Sequence, residues 1–552
     1  MRGPTLAAGQ ILPLVRRLSG APDPLALFAS LTDGGQRTDT LLLESADAAS
    51  GVGEKSLLLP RTSLRIEGRG RAVRIDPLTP NGQAMRDWLA GTLADRAQVT
   101  RDGPALNLVF PAAPPGQDEQ SRLTVPGPLD VLRAVTLWPV LVSEPAALAH
   151  LAAGIFAYDL VDLLERLPAA RADQLGFPDF VFWVPEQILI LDHVHRATTI
   201  VAHVVGGGDS EASYHDAVRA IETLSRAVEQ VGRKQGVGSR EQDNATSLLP
   251  GPCSPSVQDT ATFLLPGPCS PSVEVDLDDA AFADLVQRLK GHIVAGDVFQ
   301  IVPSRTFTLP CADPFEAYRR LRAANPSPYM FLVRSPGWTL LGASPETAVK
   351  VSGTPLQVML RPIAGTAARG RRADGSLDTE LDARLQAALL TDTKELAEHM
   401  MLVDLARNDV ARVSRAGTRR VSRLLTVDRY QHVMHIVSEV EGELAPGLDA
   451  LHAYAASMNM GTLVGAPKIR AAELLRHHEP SRRGPYGGAV GYLTHRGEMD
   501  TAIVIRSALV QQGVAHVRAG AGVVLDSDPV READETRRKA ASVLQALAGG
   551  GP

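Results

Sequence analysis

The stretch GGAVGYLTHRGEMDTAIVIRSALVQQGVAHVRAGAGVVLDSDPVREADETRRKAASVLQAL, residues 487–547, decides the architecture. It holds three apolar runs, GGAVGYLTH, DTAIVIRSALV and VAHVRAGAGVVL, separated by short polar or glycine-bearing breaks, before a final helix. Strands that follow one another across such short breaks pair antiparallel, because a parallel return needs a crossover of about a dozen residues. The same grammar runs upstream. TLLLESAD, SLLLP, LRIEG and AVRIDPL fill residues 39–75, and FVFWVPEQILILDHVHRATTIVAHVV reads as strand. Helices are predicted around 80–97, 127–138 and 210–231, and in the acid-led DLDDAAFADLVQRLKGHIVAG. Strands then resume in DVFQIVPSRTFTL, YMFLVRS, WTLLGAS, TAVKVSG and LQVMLRP, with a charged helix from about 376 to 405. Strands and helices do not alternate strictly, so the fold class is α+β with mostly antiparallel sheets.

A chain of 552 residues exceeds a single small core. Its 44% hydrophobic and 21% charged residues and net charge of -6 offer no basic surface for nucleic acid or an anionic membrane. No run of about 18 apolar residues occurs, so the expected compartment is the cytoplasm. Cys253, Cys269 and Cys311 have neither the number for a disulfide framework nor the spacing of a metal clip. Two of them lie in a tandem repeat, QDNATSLLPGPCSPSV at 242–257 and QDTATFLLPGPCSPSV at 258–273. Proline, glycine and serine dominate there without periodicity, which predicts a surface linker. The expected organisation is an N-terminal lobe over 1–231, a linker over 232–275 and a second lobe over 276–548.

Two Glu-x-x-Glu pairs stand out, Glu395 with Glu398 and Glu532 with Glu535, each projecting from one face of a predicted helix. Four carboxylates from two helices suit Mg²⁺, although the spacing equally fits two solvated helix faces. Gly520 and Gly522 in RAGAGVVLDSDP leave backbone N–H groups open to an anion, or mark a turn. Glu346 and Thr366 sit at predicted strand ends, and His435 lies among apolar neighbours where a core histidine is common. Arg506, inside an apolar strand pattern, must be paired, and its planar fork points to a carboxylate ligand.

In order along the chain, GDVFQIVPSR, NPSPYM, GASPE, PIAGT, AEHMMLVDLARND, HVMHIVSEVEG, MGTLVGAPKIRA, YGGAVGYL, DTAIVIRS and AGAGVVLDSDPVREADETRRKA resemble the chorismate-utilising enzymes, most closely the anthranilate synthase component I family. The resemblance covers nearly all of 276–548, and LLLESAD extends it to the first lobe. It implies antiparallel sheets packed as a sandwich with flanking helices and two intertwined lobes. It makes the glutamates a Mg²⁺ site, with Glu398 and Glu535 as direct ligands and Glu395 and Glu532 in support. Gly520, Ala521 and Gly522, with Tyr486 and Arg506, would bind the carboxylates of chorismate, and Gly365, Thr366, Thr462 and Lys468 would line the pocket. Glu346 is the implied acid for the 4-hydroxyl leaving group, and His435 is associated with the later elimination of pyruvate.

Sister enzymes that add water resemble one another in placing a lysine base where this chain has Gln300, and Gln300 cannot play that part at neutral pH. Some aminodeoxychorismate synthase component I chains carry a lysine nucleophile where this one has Ala364. Together these point to ammonia as nucleophile and anthranilate as product, with aminodeoxychorismate synthase component I as the alternative. No G-x-C-x-G nucleophile turn is present, so a separate glutamine amidotransferase subunit, component II, is the implied partner. LLLESAD becomes the expected L-tryptophan inhibitor site, with Glu44, Ser45 and Lys55, completed by Pro328, Tyr329 and Met330.

Overall fold

The computed structural model describes residues 4–45, 55–112, 125–143, 148–169, 171–242, 273–372, 374–430 and 433–549. Most of the duplicated segment, with Cys253 and Cys269, lies outside the described residues, as do Ala46 and Asp47 of LLLESAD.

Two long strands, Lys55–Arg69 and Phe180–Asp192, pair antiparallel and organise everything else. Their register shifts between Leu58 and Leu64, so each strand bends and serves two sheets. In the first layer Lys55–Arg69 pairs with Thr40–Glu44, which pairs with Tyr329–Ser335, then Trp338–Ser344, Ser507–Gln511, Val514–Gly520 and Ser304–Pro310. In the second, Phe180–Asp192 pairs with Leu151–Phe156, followed by Ala489–Thr494, Met499–Ile503, Thr347–Ser352, Gln357–Leu360 and Val433–Glu443. Every one of these pairings is antiparallel. Each sheet joins strands from before the linker to strands from after it, so the two lobes are intertwined.

Side-chain alternation builds the layers. Leu41, Leu57 and Leu59 turn inward to meet Leu151, Trp183, Phe331, Val490 and Ala502 between the sheets. Their neighbours Leu42 and Leu58 turn outward to the helices Pro24–Leu31, Pro314–Ala324 and Pro529–Ala548. On the far side, Val349, Val351 and Val440 pack against Thr393–Ala411 and Ala450–Ser457. The result is a sandwich of two sheets covered on both outer faces by helices.

Three sequence expectations change. The charged helix of 376–405 is two helices, Thr379–Thr391 and Thr393–Ala411. Asp392 leaves helical geometry between them, and its carboxylate accepts from the Lys394 and Glu395 N–H groups. A strong N-cap competes with helix continuation, and here it wins. DVFQIVPSRTFTL splits into Gln300–Ile301, paired with Gly465–Ala466, and Ser304–Pro310, because Pro303 cannot donate to a ladder. The helix expected to end at 231 runs from Ser210 to Gln242, into what was read as linker, since its glycines weaken a helix without locking the backbone as proline does.

Candidate functional site

The two glutamate pairs open helices, so each begins at the positive end of a helix dipole. Asp392 caps the helix bearing Glu395 and Glu398, and Asp528 caps the one bearing Glu532 and Glu535 by accepting from the Arg531 N–H. The structure brings the four together. Burial, then the neighbouring carboxylates Asp392 and Glu535, raises Glu395; burial, then Glu395, raises Glu398. Glu532 is raised by burial and by Glu535, and its Oε2 is buried without a partner. Mutual repulsion plus an orphaned carboxylate oxygen is the chemistry of a set that fits a hard divalent cation. Among the described residues no three carboxylate or imidazole groups converge to metal-holding distance, so the set is gathered rather than preformed. Glu398 Oε1 meanwhile accepts from Gln300 Nε2 at 2.8 Å, and Glu535 pairs with Lys539 at 2.7 Å.

Lys539 was not anticipated. Four residues after Glu535, it reads in sequence as half of an ordinary surface pair. In the fold its ammonium also donates to the Gly520 carbonyl at 3.1 Å, and its charge acts on Glu346, Glu398 and Glu532.

Glycines set the walls. Gly365 has φ +72°, at a register shift between Ala364 and Thr366, and a Cβ there would come within 3.1 Å of Ile436 and 3.3 Å of Glu395 Oε2. A Cβ on Gly522 would lie 2.9 Å from Gln300 Nε2. Of the proposed anion-binding backbone, the Ala521 N–H is already committed to the Pro303 carbonyl at 3.1 Å.

Glu346 sits between Trp338–Ser344 and Thr347–Ser352 and accepts from the Thr462 hydroxyl at 3.0 Å. Burial pushes its carboxyl up to about 7, against the lowering effects of Thr462 and Lys539. It therefore holds a proton near neutrality, as an acid catalyst requires. His435 faces Thr366, with Nδ1 2.9 Å from Thr366 Oγ1 and 3.2 Å from the Gly365 carbonyl. A carbonyl only accepts, so Nδ1 carries the proton and Nε2 keeps its lone pair. Burial and the charge of Arg506 lower His435, which keeps it neutral and basic.

Arg506 does not lie within a strand. It occupies the break before Ser507–Gln511 with φ +50°, a backbone seldom adopted by arginine and often retained at functional sites. Its guanidinium is desolvated, which lowers it, with only the longer-range charges of Tyr486 and Glu535 to offset this. The guanidinium makes no hydrogen bond or ion pair with another described residue, while the Arg506 carbonyl accepts from the Ala343 N–H at 3.0 Å. Tyr486 stands nearby, its hydroxyl close beneath Gly520. Lys468 is engaged elsewhere, donating to Asp409 at 2.6 Å and to the Ser457 carbonyl at 2.8 Å.

A cavity of about 710 Å³ lies where the lobes interleave, against Ser45, Lys55, Pro328 and Tyr329. Ser45 Oγ is buried without a partner among the described residues. Glu44 and Met330, paired across the ladder, also border this cavity, while their side chains turn to the helix-covered face. There the Glu44 carboxylate accepts from Tyr318 at 2.6 Å and pairs with Arg322 at 3.0 Å. These contacts tie the first-lobe strand to a second-lobe helix.

Residues 134–545 match the family model described as chorismate binding enzyme. Anthranilate synthase component 1 of Vibrio cholerae is 48% identical over 525 residues, covering 95% of this chain and 94% of the relative, and that of Escherichia coli is 45% identical, covering 95% of each. The crystal structure of anthranilate synthase component I from Streptococcus pneumoniae superposes with a TM-score of 0.62 at 29% identity, covering 89% of this chain and 92% of that one. No helix among the described residues is long and apolar enough to cross a membrane. The chain is an enzyme acting on chorismate: it belongs to the chorismate-binding enzymes and, within them, to the anthranilate synthase component 1 family.

Proposed function

We propose that this enzyme aminates chorismate with ammonia and eliminates pyruvate to give anthranilate, the first step of tryptophan synthesis. The observation that carries this reading is Glu346, enclosed, bonded to Thr462 and protonated up to about pH 7. Its proton goes to the 4-hydroxyl as that group leaves and nitrogen adds at C2 of the ring. His435, neutral with Nε2 free, then takes the C2 proton as the C3–O bond breaks, and the enolpyruvate that leaves takes a proton on its methylene carbon to become pyruvate. Arg506 and Tyr486 hold a substrate carboxylate, which supplies the partner that the desolvated guanidinium lacks among the described residues.

Glu395, Glu398, Glu532 and Glu535 would hold Mg²⁺, Glu398 and Glu535 directly, and the cation when bound would neutralise a substrate carboxylate. The "component 1" in the names of the relatives supports a separate glutaminase partner that supplies ammonia. The cavity around Ser45 and Tyr329 is read as the tryptophan effector site, because Ser45 Oγ is a buried group awaiting a hydrogen-bond partner.

The test is a product assay with chorismate, Mg²⁺ and ammonium at mildly alkaline pH, followed by anthranilate fluorescence, with and without tryptophan. Anthranilate formed by the chain alone and suppressed by tryptophan is the expected result. A product that becomes fluorescent only after a lyase is added would instead assign the chain to aminodeoxychorismate formation.

A further inference from the structure

Glu346 is the bend residue immediately before the strand Thr347–Ser352, so the two side chains are joined by a single peptide unit. Glu346 turns to Thr462 and the small cavity beneath the Thr393–Ala411 helix. Thr347 lines the large cavity that holds Ser45 and Tyr329, and also borders the smaller one. One peptide unit thus separates the two chambers. Tyr329 spans the gap: its hydroxyl lies 3.0 Å from Thr347 Oγ1 and donates to Asp500 Oδ1 at 3.1 Å.

The strand pairing is irregular at this point. Thr347 pairs with Ala502, but the register slips before Lys350, so the ladder is interrupted just after the acid. Glu346 is anchored by its carbonyl, which accepts from the Ile503 N–H at 3.0 Å, and by a side-chain bond to Thr462 on a different element. A small displacement of Thr347 is therefore delivered to the carboxyl of Glu346 through one peptide, while Thr462 stays in place. Tyr329 belongs to the strand that also pairs with Thr40–Glu44, so a ligand seated against Ser45 meets Tyr329 directly.

We infer that Thr347 is the positioning residue through which occupancy of the Ser45–Tyr329 cavity withdraws Glu346 from its working position. This rests on the effector reading given above and names its route. A ligand that displaces the Tyr329 ring or captures its hydroxyl breaks the bond to Thr347, and the relaxed strand start carries Glu346 away from Thr462. The effector and the chorismate-binding state then favour different placements of one residue, which is a two-state element both sites bias.

The experiment compares the full chain with Thr347→Val, which keeps shape and loses the hydroxyl, and Thr347→Ser, which keeps it. Tryptophan binding is measured by calorimetry and residual turnover at saturating tryptophan by anthranilate fluorescence, each normalised to that variant's own uninhibited rate. The expected result is that Thr347→Val binds tryptophan within about threefold of the parent. Its residual turnover under saturation should rise at least about fivefold, within the usual range of allosteric couplings, and Thr347→Ser should restore inhibition. If Thr347→Val binds tryptophan and is inhibited as completely as the parent, the route is wrong while the effector site stands. If Thr347→Val no longer binds tryptophan, or Thr347→Ser behaves like it, Thr347 serves the cavity's structure and the inference fails. If the parent itself shows no binding heat and no inhibition, the effector reading falls and takes this inference with it.

Discussion

Glu346 concentrates the chemistry and its cost. A carboxyl raised from 4.5 to about 7 binds its proton more tightly in the folded than in the unfolded chain, so stability declines as pH rises through that interval and then levels off. Replacing it by glutamine keeps an acceptor for Thr462 and removes the ionisation. Urea denaturation at pH 8 should show Glu346→Gln more stable than the parent by about 3 kcal/mol, the gain shrinking below pH 7 and vanishing near pH 4.5. Turnover of the same variant should fall by about 10² to 10⁴. Loss of both stability and activity would mean that the carboxylate is ionised and paired. Arg506→Met gives the complementary signature: a drop in kcat/KM of about 10- to 150-fold, the worth of a charged hydrogen bond, with no loss of stability. A clear drop in unfolding midpoint would show that the guanidinium has a structural partner. At this scale sequence legibility was uneven. Glu346, His435 and Arg506 stand out in the sequence because they sit in motifs, whereas Lys539 hides in an i,i+4 pair and the pairing of Lys468 with Asp409 is visible only in the fold.

At the scale of elements, Asp392 sets where the carboxylate-bearing helix starts. Asp392→Ala should cost about 1 kcal/mol of stability, as lost N-caps do. It should also raise the Mg²⁺ concentration needed for half-maximal activity, because Glu395 and Glu398 lie in the first two turns that the cap fixes. An unchanged Mg²⁺ requirement would separate the cap from the carboxylates. Ser45 is the corresponding lever in the other cavity. Ser45→Phe should fill it and abolish tryptophan inhibition at near-normal turnover, and an unaltered tryptophan response would place the effector elsewhere. Strand identity was legible because alternation and turn residues are local signals. The helix break at Asp392 and the strand break at Pro303 depend on a cap or a missing donor prevailing over periodicity, and one-dimensional pattern weighs these poorly. The face on which Glu44 lies was equally hidden, because it depends on the cross-strand pairing with Met330.

At the scale of the molecule, the lobes read from sequence share both sheets. Residues 276–548 expressed alone should not yield a cooperatively folding protein, because Tyr329–Ser335 loses Thr40–Glu44 and Ala489–Thr494 loses Leu151–Phe156. A soluble fragment with a sharp thermal transition would contradict this. Deleting one 16-residue copy of the duplicated segment should leave turnover and tryptophan inhibition nearly intact, since halving a loop changes its closure by about 0.6 kcal/mol.

The pairing of Leu151–Phe156 with Ala489–Thr494 also sets a clock on synthesis. His495 donates its N–H to the carbonyl of His150, 345 positions earlier. At a ribosomal rate of about 5–20 residues per second, the earlier strand waits roughly 17 to 70 seconds for its neighbour to be made. Throughout that time a strand that is entirely buried in the finished fold is without its partner along one edge. Whatever protects that edge during translation, whether slow docking, a transient surrogate strand or a chaperone, is part of how this enzyme reaches its working form.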